Sequence, residues 1–229
     1  MNSYLEKYEL DIIQLKQFEK YYELLIAENR KYNLTSIVEK KEVYIKHFCD
    51  SLEIINVMDF SKIVNICDIG SGAGFPGLPL KIKYPHLKLV IVESNRKKTM
   101  FLKMVVDMLK LDDVYILNER VEEIDIKYKD YFDLVVARAV STLPILMELC
   151  IPYVKVEGNF VAMKGINYED EIEKAQTGLK KLKSSIFAIK LYNLDEDMGN
   201  RALIIINKKN KTSSDYPRRY AIIKKSPLK

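Results

Sequence analysis

Ile63-Val64-Asn65-Ile66-Cys67-Asp68-Ile69 is an apolar run that ends in Gly70-Ser71-Gly72-Ala73-Gly74-Phe75-Pro76-Gly77, after which a helical pattern begins. A strand that delivers a glycine-rich loop to a helix start reads as a ligand site. No Cβ bars close approach of the backbone there, and the first amides of the helix favour an anion. Pro76 suits the first turn of that helix. Outward from this loop, strand and helix patterns alternate. Strands are predicted over 87–92, 114–117, 132–137 and 160–163, and helices over 96–109 and near 168–183. Apolar strands separated by helices predict an α/β fold with a mostly parallel sheet, helices on both faces and right-handed crossovers. Two last strands, around 186–191 and 203–206, are joined by a short turn region, which predicts antiparallel pairing near the C-terminal end.

The loop by itself suits two cofactors. Gly72, Gly74 and Gly77 satisfy the G-x-G-x-x-G spacing of dinucleotide-binding folds, and Glu93, at the end of the second strand, can accept ribose hydroxyls from NAD or from S-adenosylmethionine. The surroundings favour the second. Arg120-Val121-Glu122-Glu123 follows the third strand, where an amide and an acid can meet an adenine edge. The strand Phe132-Asp133-Leu134-Val135-Val136-Ala137 resembles the methyltransferase fold, and no hydride-transfer residues present themselves. The expected architecture is therefore a Rossmann-like class I methyltransferase sheet. Arg138 ends the fourth strand, placed to grip a cofactor carboxylate or a substrate phosphate with two parallel bonds, and Lys164-Gly165 holds the corresponding place after the next strand. Amino-group methyltransferases usually carry Asp/Asn-Pro-Pro-aromatic after the fourth strand, whereas this chain reads Arg138-Ala139-Val140-Ser141-Thr142. Carbon methylation of a pyrimidine needs a cysteine nucleophile, and Cys49, Cys67 and Cys150 lie in no recognisable setting for one. A ring nitrogen with a free lone pair, such as guanine N7, needs neither a base nor a covalent intermediate.

Residues 1–60 are expected to form an N-terminal helical extension, 61–207 the S-adenosylmethionine-binding domain, and 208–229 a basic tail. In the extension, Ile12, Leu15, Phe18, Tyr22 and Leu25 recur on one helical face; Asn33-Leu34-Thr35-Ser36 is a break and cap, and a second helix follows. His47, Asp50 and Ser51 share a face of that second helix and read either as pocket residues or as a buried histidine with helix caps. The 229-residue chain is 48% hydrophobic and 30% charged, the composition of a folded protein. Its net charge of +5 is concentrated at the C-terminus, where the last 22 residues carry eight Lys or Arg against the single acid Asp215. Such a block suits a nucleic acid as readily as it suits solvent. No apolar run is long enough to span a bilayer and the first residues lack a signal-peptide core, so a cytoplasmic protein without membrane contact is expected. The three cysteines are far apart and only His47 and His86 could join them, so no metal site is expected.

Asn33-Leu34-Thr35 followed by His47-Phe48-Cys49-Asp50-Ser51-Leu52, the loop from Asp68 to Gly77, Arg96-Lys97-Lys98-Thr99-x-Phe101-Leu102, Arg120-Val121-Glu122-Glu123, Arg138-Ala139, Lys164-Gly165 and Tyr216-Pro217-Arg218-Arg219 occur in that order. This series resembles the bacterial ribosomal RNA small subunit methyltransferase G (glucose-inhibited division protein B) family almost end to end. The tail departs from the family in reading Ala221-Ile222-Ile223 where a Gly and Pro turn is usual. The resemblance implies methyl transfer from S-adenosylmethionine to guanine N7 in 16S ribosomal RNA, as free RNA or a small-subunit particle; a monomer is expected. It implies Gly70, Phe75, Val121, Glu122 and Arg138 at the cofactor, beside the Gly72, Gly74 and Glu93 that the loop reading already places there, and it favours His47, Asp50 and Ser51 with Arg138 as residues of the reacting pocket. For substrate binding it implies Asn33, Thr35, Lys164, Arg201, Arg218 and Arg219, while Tyr216 or Tyr220 is placed to stack on a base.

Overall fold

The computed structural model describes residues 3–138 and 141–228, so Ala139 and Val140 of the Arg138-to-Thr142 stretch lie outside the described residues. Seven strands form one sheet in the order β3-β2-β1-β4-β5-β7-β6. They are β1 (Asn65–Ile69), β2 (Lys88–Val92), β3 (Val114–Leu117), β4 (Phe132–Arg138), β5 (Val154–Lys164), β6 (Ser184–Asn193) and β7 (Asn200–Lys208). The first five pair parallel; β7 runs antiparallel to both β5 and β6.

Successive residues of the central strands point into two separate cores, as the two-residue period of a strand requires. Ile66, Leu134, Val136, Val161, Leu203 and Ile205 fill one core. Cys67, Val135, Ala137, Phe160, Ile204 and Ile206 fill the other. The first core is roofed by α1 (Ile12–Tyr32), by a continuous helical stretch made of α2 (Lys40–Val43), a π-helical turn (Tyr44–Cys49) and α3 (Asp50–Leu52), and by α4 (Gly77–Lys83) and α5 (Arg96–Leu109). The second is covered by α6 (Leu143–Cys150), α7 (Tyr168–Lys181) and α8 (Tyr220–Lys225). Among the described residues no helix is long and apolar enough to cross a membrane.

Three features of the packing add to the sequence reading. First, the N-terminal segment supplies part of the covering layer over one sheet face, its helical face packed on the domain as expected: Leu5, Tyr8, Phe18, Tyr21, Leu25 and Phe48 sit in the same core as the strands. Second, the buried face of α1 is Gln14, Phe18, Tyr21 and Leu25, while Ile12 is 53% exposed. Gln14 turns the helix this way because its side chain closes a capping box with Asp11 and donates to the carbonyls of Ile82 and Lys83. Third, the tail packs onto the domain. Lys208 belongs to β7 and is buried against Asp130 and the carbonyls of Ile151 and Pro152, and Ile223 and Leu228 enter the second core. Clustered charges around one short apolar run, Ala221-Ile222-Ile223, carry no periodicity from which docking could be read.

Candidate active site

β1 ends at Asp68-Ile69, and the chain leaves it through Gly70, Gly72 and Gly74, all at positive φ. Asp68, fully buried, accepts from the Gly77 amide (2.7 Å) and so ties the loop's end to its beginning; burial pushes its carboxyl up to about 7. Gly74 owes its place to packing, since a Cβ there would meet Tyr21 Oη at 2.3 Å and Leu78 Cδ1 at 2.6 Å. Gly72 faces open space, with nothing within 4 Å of a Cβ position. Its amide donates to Glu93 Oε2 (2.9 Å), and Glu93 Oε1 accepts from the Asn95 amide (2.8 Å). Glu93 is thereby held at the end of β2, with the second lone pair of each oxygen left over.

Beside this loop lies a pocket of about 360 Å³ lined by Gly70, Glu93, Val121, Glu122 and Tyr220 among others. The buried Ser71 hydroxyl and the second oxygen of Asp68 make no hydrogen bond of good geometry, though Ser71 is near enough to oppose the rise of the Asp68 carboxyl, and Gly72 leaves room for an approaching group. Two carboxylates and apolar Ile69, Val92, Val121 and Leu149 in one pocket, next to an open glycine and buried polar atoms of the same loop, fit an adenosine-bearing cofactor. Tyr220, one of two tyrosines expected to stack on a base, donates its amide to Glu122 Oε1 (3.3 Å) and sets its ring 5.8 Å from the Arg120 guanidinium, so the tail supplies one wall of this pocket.

A second cavity, about 710 Å³, opens at the ends of β4 and β5 and is lined by His47, Asp50, Arg138, Lys164 and Arg201. Arg138 is its centre. Its guanidinium donates to the Lys46 carbonyl (2.9 Å), Asp50 Oδ2 (3.0 Å) and His47 Nδ1 (3.1 Å), and lies 4.9 Å above the Phe75 ring. The π-helical turn at Tyr44–Cys49 presents the Lys46 carbonyl, His47 and Asp50 together to one guanidinium. Because arginine only donates, His47 Nδ1 must accept, and its proton sits on Nε2, which donates to Thr35 Oγ1 (2.9 Å). Tyr192 Oη closes the network on Asp50 Oδ1 (2.7 Å). Nothing in the sequence singled out Tyr192, because it reaches Asp50 across 142 residues.

Other expected residues hold different posts. Ser51, fully buried, donates back to the His47 carbonyl inside the helix, which stabilises the turn and keeps its hydroxyl out of the cavity. Asn33 is the left-handed cap of α1. Phe75 is a floor beneath His47 (rings 4.5 Å apart, stacked) and Arg138, and does not line the 360 Å³ pocket. Lys164 pairs with Glu171 (2.7 Å). Arg218 faces inward: Nε and Nη2 each lie 2.6 Å from the carboxylate of Glu148, a residue with no exposure, whereas Arg219 is exposed. This inward arginine latches the tail, and Arg218→Ala strands a buried carboxylate. The expected loss is about 3–5 kcal/mol of stability in chemical denaturation; an unchanged midpoint would show that the latch is idle.

His47 is held neutral. Burial, and then the charge of Arg138, lower its pKa to about 3, against about 6.5 for a free imidazole. Below 6.5 the unfolded chain takes up a proton that the folded chain refuses, so stability is full above 6.5 and is lost as the pH falls toward 3. Unfolding midpoints should therefore show the wild type losing about 2–3 kcal/mol more than His47→Gln between pH 7 and 4.5. Parallel pH profiles for the two proteins would refute a neutral His47.

The strand order with an antiparallel β7, and both cavities at the carboxyl edge of the parallel strands, define a class I S-adenosylmethionine-dependent methyltransferase. Solved structures agree in fold. TYW2 of M. jannaschii, determined in complex with AdoMet, matches with a TM-score of 0.53 at 19% identity over 69% of this chain and 74% of that one. The mitomycin 7-O-methyltransferase MmcR matches with a TM-score of 0.59 at 14% identity over 82% and 60%. Within that class, this chain belongs to the rRNA small subunit methyltransferase G family, whose model matches residues 14–197. Ribosomal RNA small subunit methyltransferase G of Staphylococcus saprophyticus is 44% identical over 96% of this chain and 92% of its own length. The protein of that name from Aster yellows witches'-broom phytoplasma is 44% identical over 87% and 94%.

Proposed function

We propose that this chain transfers the methyl group of S-adenosylmethionine to N7 of a guanine in 16S ribosomal RNA. One observation carries the choice of acceptor: among the described residues, every titratable group that could serve as a base in the 710 Å³ cavity is already engaged. Asp50 is held by Arg138 and Tyr192, Glu171 by Lys164, and His47 Nδ1 by Arg138. The acceptor must therefore bring its own lone pair, as guanine N7 does. The cysteines offer no covalent route either, since burial raises all three thiols, Cys49 to about 12.

When bound, S-adenosylmethionine supplies an electrophilic methyl on a sulfonium. Gly70, Glu93, Val121, Glu122 and Tyr220 would hold its nucleoside, and the loop amides its amino-acid end. Arg138, locked by its three acceptors and paired with Asp50, holds a planar guanidinium in a fixed orientation at the cavity, and the Phe75 floor supports that orientation. Transfer is in line, so alignment and exclusion of water are the protein's tasks. A small-subunit rRNA substrate places this work in the cytoplasm.

The tail contributes less charge to RNA than its composition suggests, because Lys208 and Arg218 are spent on Asp130 and Glu148. Lys211, Arg219, Lys224 and Lys225 remain exposed. Four phosphate contacts on single-stranded RNA would weaken binding about fiftyfold between roughly 50 and 200 mM salt. The direct test incubates the protein with labelled S-adenosylmethionine and either 16S RNA or small subunits lacking the modification, then digests to nucleosides. Label is expected in 7-methylguanosine; label in adenosine, cytidine or nowhere defeats the proposal.

A further inference from the structure

The substrate cavity does not end at Arg201. A groove of about 550 Å³ continues along the β6 and β7 hairpin, and the two spaces share Gly165 and Arg201 in their walls. The groove is lined on one side by Ile166, 71% exposed, and Leu191, 59% exposed, large apolar side chains that gain nothing from facing water. Half-buried Tyr168 and Tyr192 and the exposed amides of Asn193 and Asn200 complete it.

Arg201 stands apart from the other cations of the cavity. Lys46 pairs with Glu42, Arg138 with Asp50 and Lys164 with Glu171. Arg201 donates only to the carbonyl of Asn200 (3.0 Å) and has no carboxylate partner among the described residues. An arginine whose charge is not neutralised, standing where two ligand-sized spaces meet, is placed for a phosphate shared by both occupants.

We infer that the groove binds the nucleotide adjoining the target guanosine in the same RNA strand, with Arg201 on the phosphate that joins them. This rests on the functional reading above, since the first cavity must hold the guanosine. The chemistry matches each part of a nucleotide. Ile166 and Leu191 cover a flat base face, the Asn193 and Asn200 amides and the Glu169 carboxylate meet its edge, and Arg201 takes the anion. Splayed single-stranded RNA exposes a base in just this way, whereas a paired helix would hide it.

The test uses an RNA fragment containing the target guanine, with binding read by fluorescence anisotropy in the presence of S-adenosylhomocysteine and turnover read by label transfer. Ile166→Asp and Leu191→Asp alter exposed side chains, so the fold is retained. Each is expected to weaken RNA binding and raise KM about tenfold while kcat at saturating RNA and S-adenosylhomocysteine affinity stay unchanged. An abasic nucleotide on one side of the target should impose the same loss on the wild type and little further loss on Leu191→Asp, the mark of two changes acting on one contact. Arg201→Ala should lower the slope of log affinity against log salt by about 0.7. Unchanged binding in both aspartate variants, or abasic and protein changes that simply add, overturns the inference while leaving guanine methylation standing. Conversely, coupled losses in binding with no label in guanine would retain the nucleotide groove and reject N7 transfer.

Discussion

Arg138→Ala is expected to lower methyl transfer at saturating RNA at least a thousandfold and to lower stability by about 3–5 kcal/mol. Both effects stem from one guanidinium that serves three acceptors at 2.9–3.1 Å. Removing it leaves Asp50, whose side chain is 5% exposed, with only the Tyr192 hydroxyl, and leaves His47 Nδ1 with no donor. In a chain of this size a loss of 3 kcal/mol lowers Tm by roughly 6–12 °C, so the alanine variant alone would confuse misfolding with lost chemistry. Arg138→Lys separates them. An ammonium keeps the charge beside Asp50 but, as a point donor, does not span the planar fork over Phe75. The lysine variant should melt within a few degrees of the wild type, bind S-adenosylhomocysteine, and transfer methyl about a hundredfold more slowly. A lysine variant with wild-type turnover would mean that only charge matters at this position.

The loop glycines should separate just as sharply. Gly74→Ala forces a methyl to within 2.3 Å of Tyr21 Oη and 2.6 Å of Leu78 Cδ1, at φ +106. Tyr21 has no room to yield, for its hydroxyl donates to the Ala73 carbonyl and its ring stacks on Phe75 (5.5 Å). The expected cost is about 3 kcal/mol or more, visible as a fall in Tm of roughly 10 °C, together with a disturbed floor under His47 and Arg138. Gly72→Ala has the opposite signature. Space is open there, so the cost is the left-handed backbone alone, about 1 kcal/mol, but the new methyl projects where a ligand would approach. It should fold nearly as well as the wild type and bind S-adenosylhomocysteine at least tenfold more weakly, by calorimetry. Equal melting losses in the two variants would show that both glycines serve packing.

Much of the site was legible because its signals are local. The run from Ile63 to Gly77 specifies strand, turn and helix within one stretch, and Glu93 and Val121-Glu122 sit at strand ends, where side chains of a parallel sheet converge. The antiparallel last strands could be read from a short connection. What was not legible depends on contacts between distant segments. Tyr192 meets Asp50 from the far edge of the sheet, and Glu148 draws Arg218 inward through a carboxylate that looks, in sequence, like any helix acid. The face chosen by α1 turned on Gln14, a polar residue whose burial only the carbonyls of Ile82 and Lys83 make favourable.

From the sequence alone came the alternation of strand and helix, the glycine loop and the order of motifs, because backbone sterics and the two periodicities of side chains act over a few residues. The tertiary structure decided which residues share a guanidinium, which basic residues stay exposed, and that Tyr220 of the tail lines a pocket with Gly70, Glu93 and Glu122. Burial and charge pairing are properties of surfaces brought together, and no single segment carries them. The loop at residues 70–77 opens beside the pocket proposed for the methyl donor. Arg138, gathered with His47, Asp50 and Phe75 from three parts of the chain, forms the centre of the cavity proposed for the RNA.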